Sequence, residues 1–252
     1  MNTSLPCAYW QLLFLVLFPG GMFAQESFII RSFVSSELPA WRINRLLQDR
    51  KGFIWIAALN GLHRYDGYRY FQYQQTAGDS CSLSNSMIWD LSEDARENLW
   101  LATNGGVNRL DPDRGCFTAF PFPSDSGGTA PSEPSIRAVF ADSRAGVWAG
   151  TLSGRLYRLD FTTLRWTLFP VGPPDSGRFA GGTVRAFHED AEGYVWIGSA
   201  NGLSRYDPAT GAFAVFQNDP HDPYSLSFNS IWSLFEDGEG ARSGLEERPV
   251  EG

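Results

Sequence analysis

The run Asp190-Ala191-Glu192-Gly193-Tyr194-Val195-Trp196-Ile197-Gly198-Ser199-Ala200-Asn201-Gly202-Leu203-Ser204-Arg205-Tyr206-Asp207 decides the fold of this 252-residue chain, because its pattern occurs in three further copies. In every copy an Asp is followed six residues later by a Trp, and the Trp six residues later by a Gly. The sets are Asp49, Trp55 and Gly61; Asp94, Trp100 and Gly106; Asp142, Trp148 and Gly154; and Asp190, Trp196 and Gly202. The tryptophans stand 45, 48 and 48 residues apart. At such periods one supersecondary unit buries its faces against its neighbours.

Working outward from the Trp, each copy offers four short strands. An apolar run leads into the Asp, as in Ile88-Trp89-Asp90-Leu91, and a polar turn with Gly or Asn leads to the strand that carries the Trp. An Asn-Gly or Gly-Gly turn opens a third strand such as Leu203–Asp207, and an aromatic strand such as Phe213–Phe216 closes the unit. Turn signals every 8 to 12 residues and the lack of a helical period exclude a helical array. Four antiparallel strands per repeat make a propeller blade, so the fold class is all-β, a β-propeller with four blades present. The Trp is read as the ring that fills the wedge between blades. The Asp is read as an acceptor for turn N–H groups, and the Gly as the residue that permits positive φ. In the third copy Asp160 follows Trp148 by twelve residues where the other copies have eleven, which calls for a bulge or a longer turn.

Net charge is −8, from 20 basic and 28 acidic residues, with Lys51 the only lysine and no basic cluster. That excludes a nucleic-acid surface, which needs Lys and Arg gathered on one face. Residues 10–18, Trp-Gln-Leu-Leu-Phe-Leu-Val-Leu-Phe, are too short to span a bilayer comfortably. They fit the apolar region of a secretory signal over 1–24 cut after Ala24, with an uncleaved anchor as the alternative. Cys7 would leave with that leader. Cys81 and Cys116, both in the second blade, would remain in an oxidising compartment, and sequence leaves open whether they come within bridging distance.

The stretch from Asp49 to Gly67, with Trp55, Gly61, Tyr65 and Asp66, resembles the two-component regulator propeller repeat, roughly D-x-x-G-x-L-W-[IF]-G-T-x-x-G-L-x-R-[YF]-D. So does Asp190–Pro208, and the lead-ins Ser82–Ser86 and Ser225–Ser230 are similar to that family's S-L-S-x-N-x-I segment. The resemblance implies the periplasmic or extracellular sensor region of a hybrid histidine kinase or diguanylate cyclase, non-catalytic in itself and dimerising in the full receptor. It implies seven blades where four occur here, so an open arc, with a closed four-bladed ring as the alternative. It also implies a small-molecule or oligosaccharide ligand, no cofactor, no metal, no nucleic acid, and a membrane reached only through a downstream segment.

On this reading residues 25–36 form a strand that closes a last blade. The blades occupy 37–78, 79–123, 132–171 and 180–218, and a fifth begins at 226–240. Residues 241–252 break the pattern where Trp is due at position 243. Codons for Ser243 to Glu246 read in a shifted frame can spell Trp, then Ile or Val, then Gly, so this tail is expected to be frameshifted.

Five residues before each repeat Asp lies a position that varies in kind: Asn44, Trp89, Arg137, Arg185 and, in the fifth copy, Trp232. Trp faces stack on sugar rings and Arg forks clasp carboxylates, so these five are the candidate ligand-binding residues. The structural alternative packs Trp89 and Trp232 between blades and leaves the arginines solvated or paired with acids. An enzyme, a propeller-fold polysaccharide lyase or glycosidase, needs paired carboxylates or a partnered His on one face. His63, His188 and His221 fall at unrelated repeat positions and offer no metal-ligand spacing. A secreted binding or scaffold protein is the third reading, and the chain lacks the Gly-His and Trp-Asp marks of WD repeats.

Overall fold

The computed structural model describes residues 42–122 and 135–236. The chain divides into units 1–36 and 37–252, and every described residue lies in the second. The signal peptide expected over 1–24, the strand expected over 25–36 and the frameshifted tail expected over 241–252 lie outside the described residues.

Among the described residues there are sixteen strands and no helix, arranged as four separate four-stranded antiparallel sheets. Blade 1 is β1 (Ile43–Gln48), β2 (Ile54–Ala58), β3 (Gly61–Tyr65) and β4 (Tyr70–Tyr73). Blade 2 is β5 (Ile88–Glu93), β6 (Leu99–Thr103), β7 (Gly106–Asp111) and β8 (Cys116–Phe120). Blade 3 is β9 (Ile136–Ala141), β10 (Gly146–Thr151), β11 (Leu156–Asp160) and β12 (Arg165–Phe169). Blade 4 is β13 (Val184–Glu189), β14 (Val195–Ser199), β15 (Gly202–Tyr206) and β16 (Phe213–Phe216). Each sheet is a simple meander, and the inner strands adjoin in chain order: β1 by β5, β5 by β9, β9 by β13.

The six-residue spacing from Asp to Trp is a hydrogen-bond distance. In every blade the indole Nε1 donates to the Asp Oδ2: Trp55 to Asp49 at 2.7 Å, Trp100 to Asp94 at 2.9 Å, Trp148 to Asp142 at 2.9 Å and Trp196 to Asp190 at 2.6 Å. The other carboxylate oxygen accepts the backbone N–H four residues on, from Phe53, Asn98, Gly146 and Tyr194. One side chain therefore closes the β-turn and satisfies the ring it orients. The Gly at the turn into the third strand has φ of +132°, +106°, +85° and +111° at 61, 106, 154 and 202. At Gly202 a Cβ would sit 2.5 Å from the Phe216 carbonyl oxygen, so the position excludes a side chain twice over. The extra residue of the third copy is absorbed by a longer turn: Gly150 pairs with Leu156, and Thr151 N donates to the Arg155 carbonyl across it.

The cores lie between blades. Trp55 joins Leu83, Ile88, Leu91 and Phe117 of the second blade; Trp100 joins Val139, Val147, Tyr157 and Leu159 of the third; Trp148 joins Val195, Ile197 and Phe213 of the fourth. These three rings are buried, whereas Trp196 is only half-buried. Cys81 and Cys116 form a disulfide, with Cα atoms 4.6 Å apart, that ties the loop before blade 2 to its outermost strand. Phe117 N also donates to the Cys81 carbonyl, and Phe213 N makes the equivalent bond to Gly177 in blade 4, so the loop docks the same way without a disulfide there.

After blade 4 the described chain continues to residue 236 into the fifth copy of the repeat, forming no strand over 217–236. Its loop reproduces that before blade 2: Ser82 Oγ accepts from Thr76 N and Ser225 Oγ from Asp219 N, while Gln75 N reaches Ser86 and Asn218 N reaches Asn229. Ile231 N then donates to the Ser199 carbonyl, laying the segment against blade 4. The place beside β13 is thus held by the fifth repeat, and among the described residues the row of blades is open.

Candidate functional site

The candidate residues share a feature that no composition or spacing announces. In β1, Ile43 pairs with Ala58 and Arg45 with Ala57, leaving Asn44 without a partner. In β5 the unpaired residue is Trp89, between Ile88 and Asp90. In β9 it is Arg137, between Ile136 and Ala138, and in β13 it is Arg185, between Val184 and Ala186. Each inner strand carries a β-bulge at the same register. A bulge turns its extra residue out of the ladder and re-aims the side chain, and bulges concentrate where a strand serves a site.

Bulge residues reach toward the next repeat. Asn44 Nδ2 donates to the Ile88 carbonyl at 2.7 Å. The Arg137 guanidinium lies over the Trp89 ring, 3.5 Å from its centroid, and Arg185 lies over Trp232 at 3.9 Å. Trp89 Nε1 donates to Asn104 Oδ1 at 2.8 Å, which also accepts from Ser135 Oγ. Arg185 Nη1 donates to Ser230 Oγ. Trp89 is half-buried and packs against the core between blades 2 and 3 while Arg137 covers its ring. Both arginines are plates stacked on indoles, in a geometry that adds about 0.5–2 kcal/mol per stack.

Charge at this end of the inner strands is uneven. Asp90, beside Trp89, is buried; its carboxylate faces Arg45 Nε at 3.3 Å and accepts from Val139 N and Leu91 N. Burial outweighs these favourable partners and pushes its pKa up to about 6. Arg137 has no such acid among the described residues. Its Nε is buried without an acceptor, and burial, followed by the like charge of Arg42, lowers its pKa. Arg42 stands at the edge of β1, its carbonyl held by Leu59 N.

Sequence reasoning missed Arg42, Asp90 and Asn104, none of which recurs in the repeat. It also passed over a signal that does recur. Arg64, Arg109, Arg158 and Arg205 each lie over the Trp of their own blade, at 5.8, 5.8, 5.8 and 5.6 Å, and Arg158 adds a 2.7 Å bond to Asp142. These sit on the third strand of each blade, directly across the ladder from the Trp.

Features that would serve catalysis are dispersed. His63 lies buried in β3 with its pKa lowered by burial, His188 in β13 faces Glu236 at 2.8 Å, and His221 lies in the loop before the fifth repeat. Among the described residues no three of His, Cys, Asp and Glu gather as a metal site would require. Two recesses, of about 80 and 140 Å³, lie between blades 1 and 2 and between blades 3 and 4. Both sit beside the Asp–Trp turns, away from the bulges, and both fall well below the roughly 300 Å³ at which small-molecule sites begin.

The family model described as "Two component regulator propeller" matches residues 82–105 and 178–201, and those two stretches are similar to its repeat. Among solved structures it is similar to the extracellular domain of BT4673 from B. thetaiotaomicron, described as a hybrid two component system. There the identity is 20% and the TM-score 0.53, over 80% of this chain and 36% of that one. The extracellular domain of BT3049 from the same organism matches at 18% identity and a TM-score of 0.52, over 82% and 39%. A virginiamycin B lyase from Staphylococcus aureus matches at 16% and 0.53, over 75% and 60%. Identities this low establish the shared propeller fold alone. The chain spans little more than a third of the two extracellular domains, and no curated protein matches it.

Proposed function

We propose that this chain is a ligand-sensing, extracytoplasmic propeller segment of a two-component receptor, and that it binds a small molecule or oligosaccharide at its row of bulge residues without transforming it. The observation that carries the reading is the bulge in every inner strand, which places Asn44, Trp89, Arg137 and Arg185 in register and out of the ladder. Trp232 of the fifth repeat extends the row. Family repeats and the neighbouring extracellular domains support the sensor assignment and export to the periplasm or cell surface. A disulfide is in keeping with an oxidising compartment. In a receptor, such a segment would act through parts that follow it and through dimerisation.

The test is titration calorimetry against a panel of oligosaccharides, with product analysis on the same samples. Binding that Trp89→Ala and Arg185→Ala each weaken, with the panel recovered unchanged, is the expected result. Release of cleaved product would instead favour the lyase or glycosidase reading, and indifference to both substitutions would move the site elsewhere.

A further inference from the structure

Resting on that reading, we infer that Asn104 is a positioning residue of the binding row, its one amide oxygen setting where both members of the Trp89–Arg137 pair stand. The backbone brings it there. In each blade the residue that follows the second strand donates its N–H to the carbonyl two residues before the bulge: Leu59 to Arg42, Asn104 to Met87, Leu152 to Ser135 and Ala200 to Thr183. Of these four donors only Asn104 carries a polar side chain, and blade 2 is the one of the four blades whose bulge residue is an indole.

An indole N–H donates and cannot accept, so a half-buried Trp needs an acceptor held in the right place. Asn104 Oδ1 lies 2.8 Å from Trp89 Nε1 and also accepts from Ser135 Oγ at 2.8 Å. Ser135 stands two residues before Arg137, so the oxygen that fixes the ring also ties the lead-in of the strand whose guanidinium covers it. The amide is itself held, since Nδ2 donates to Met87 Sδ at 3.0 Å and the backbone N–H to the Met87 carbonyl at 3.3 Å. A cation is drawn to the face of an indole and repelled by its edge. Were the ring to swing toward another acceptor, Arg137 would lose the plate beneath it, and the row would no longer present these two side chains at fixed places.

The experiment follows the indole N–H signals of nitrogen-labelled protein by magnetic resonance, the Trp89 signal being the one absent from Trp89→Phe. Its exchange with water, and by calorimetry the affinity for cellotetraose and tetragalacturonate, one neutral probe and one acidic, are measured in wild type, Asn104→Leu, Asn104→Ala and Asn104→Asp. Leu and Ala already stand at this place in blades 1, 3 and 4, so both are compatible with the turn. In both variants the Trp89 signal is expected to shift and to exchange at least about tenfold faster, and whichever probe the wild type binds should bind about tenfold more weakly. Asp keeps the oxygen and should restore both readouts. A loss of stability alone would move the urea midpoint and leave the indole signal of the folded protein in place. An unshifted Trp89 signal in Asn104→Leu, or an Asp variant that behaves like Leu, overturns the inference. So does a shifted signal with unchanged affinity, since the ring would then serve no ligand. A wild type that binds neither probe while the signal responds as expected counts against the ligand reading and leaves Asn104 holding the Trp89–Arg137 pair.

Discussion

At the scale of single residues, the repeat Asp holds its turn, its Trp and hence the wedge between blades. Asp94 is 6% exposed and accepts from Arg96 N, Asn98 N, the Asn98 amide and Trp100 Nε1. Asp94→Ala would strand the buried Trp100 Nε1 together with three part-buried donors, and a loss of roughly 3–4 kcal/mol is expected in urea unfolding. Asp190, half-buried beside a half-buried Trp196, should cost visibly less on the same change because water replaces the acceptor. Asp90 sets a pH dependence of opposite sense to that of an ordinary carboxylate. Its folded pKa of about 6 lies above the unfolded value near 3.8, so the folded state holds the proton more tightly. Its contribution is complete below about pH 3.8 and is lost as pH rises through 6, worth on the order of 2–3 kcal/mol between pH 4 and 7. Urea midpoints of wild type and Asp90→Asn across that range should converge at low pH in a way that tracks this loss. Parallel profiles would mean that Asp90 does not titrate there.

At the scale of elements, the bulge and the docking loop matter most. Because the bulge falls at one register in each inner strand, the residue five before the Asp leaves the pleat and the residues after it resume alternation. The variable residues are thus carried on an invariant frame. The loop before blade 2 is fastened by the Cys81–Cys116 disulfide across a separation of 35 residues. In the chain-entropy account a loop of that length stabilises by about 3–4 kcal/mol. Cys116→Ser should lower the urea midpoint accordingly, and adding dithiothreitol to wild type should reproduce the shift. Loop contacts such as Phe117 N to the Cys81 carbonyl keep the native fold reachable without the disulfide, as the equivalent loop of blade 4 does.

At the scale of the whole molecule, the governing fact is the open row. Trp55, Trp100 and Trp148 are each covered by a following blade, and burying such a ring removes about 150–250 Å² from water. Beyond blade 4 the fifth repeat leaves Tyr224, Phe228, Trp232 and Phe235 exposed, Phe235 by 89%. That many large apolar groups on one stretch favours self-association. Phe228→Glu with Phe235→Glu should shift light scattering from concentration-dependent oligomers toward monomer. Equal scattering from both proteins would show that this face drives no association. Trp232 is left out of the pair because Arg185 stacks on it.

Periodicity alone determined the blade. Asp, Trp and Gly at fixed offsets mark one turn, one inter-blade ring and one left-handed hairpin residue, and each role is local enough to be written in a single repeat. The five candidate positions were legible as places where the repeat varies, and the two cysteines as a pair whose distance stayed open. Only the tertiary structure decided what lies across from what. That Arg137 covers Trp89 and that Asp90 is buried between three blades depend on contacts between units, and that Cys81 reaches Cys116 depends on how a loop docks on its own blade; a repeat pattern encodes neither. The bulge belongs to the same class, since a bulge is a mismatch between two strands and neither strand alone carries its sign.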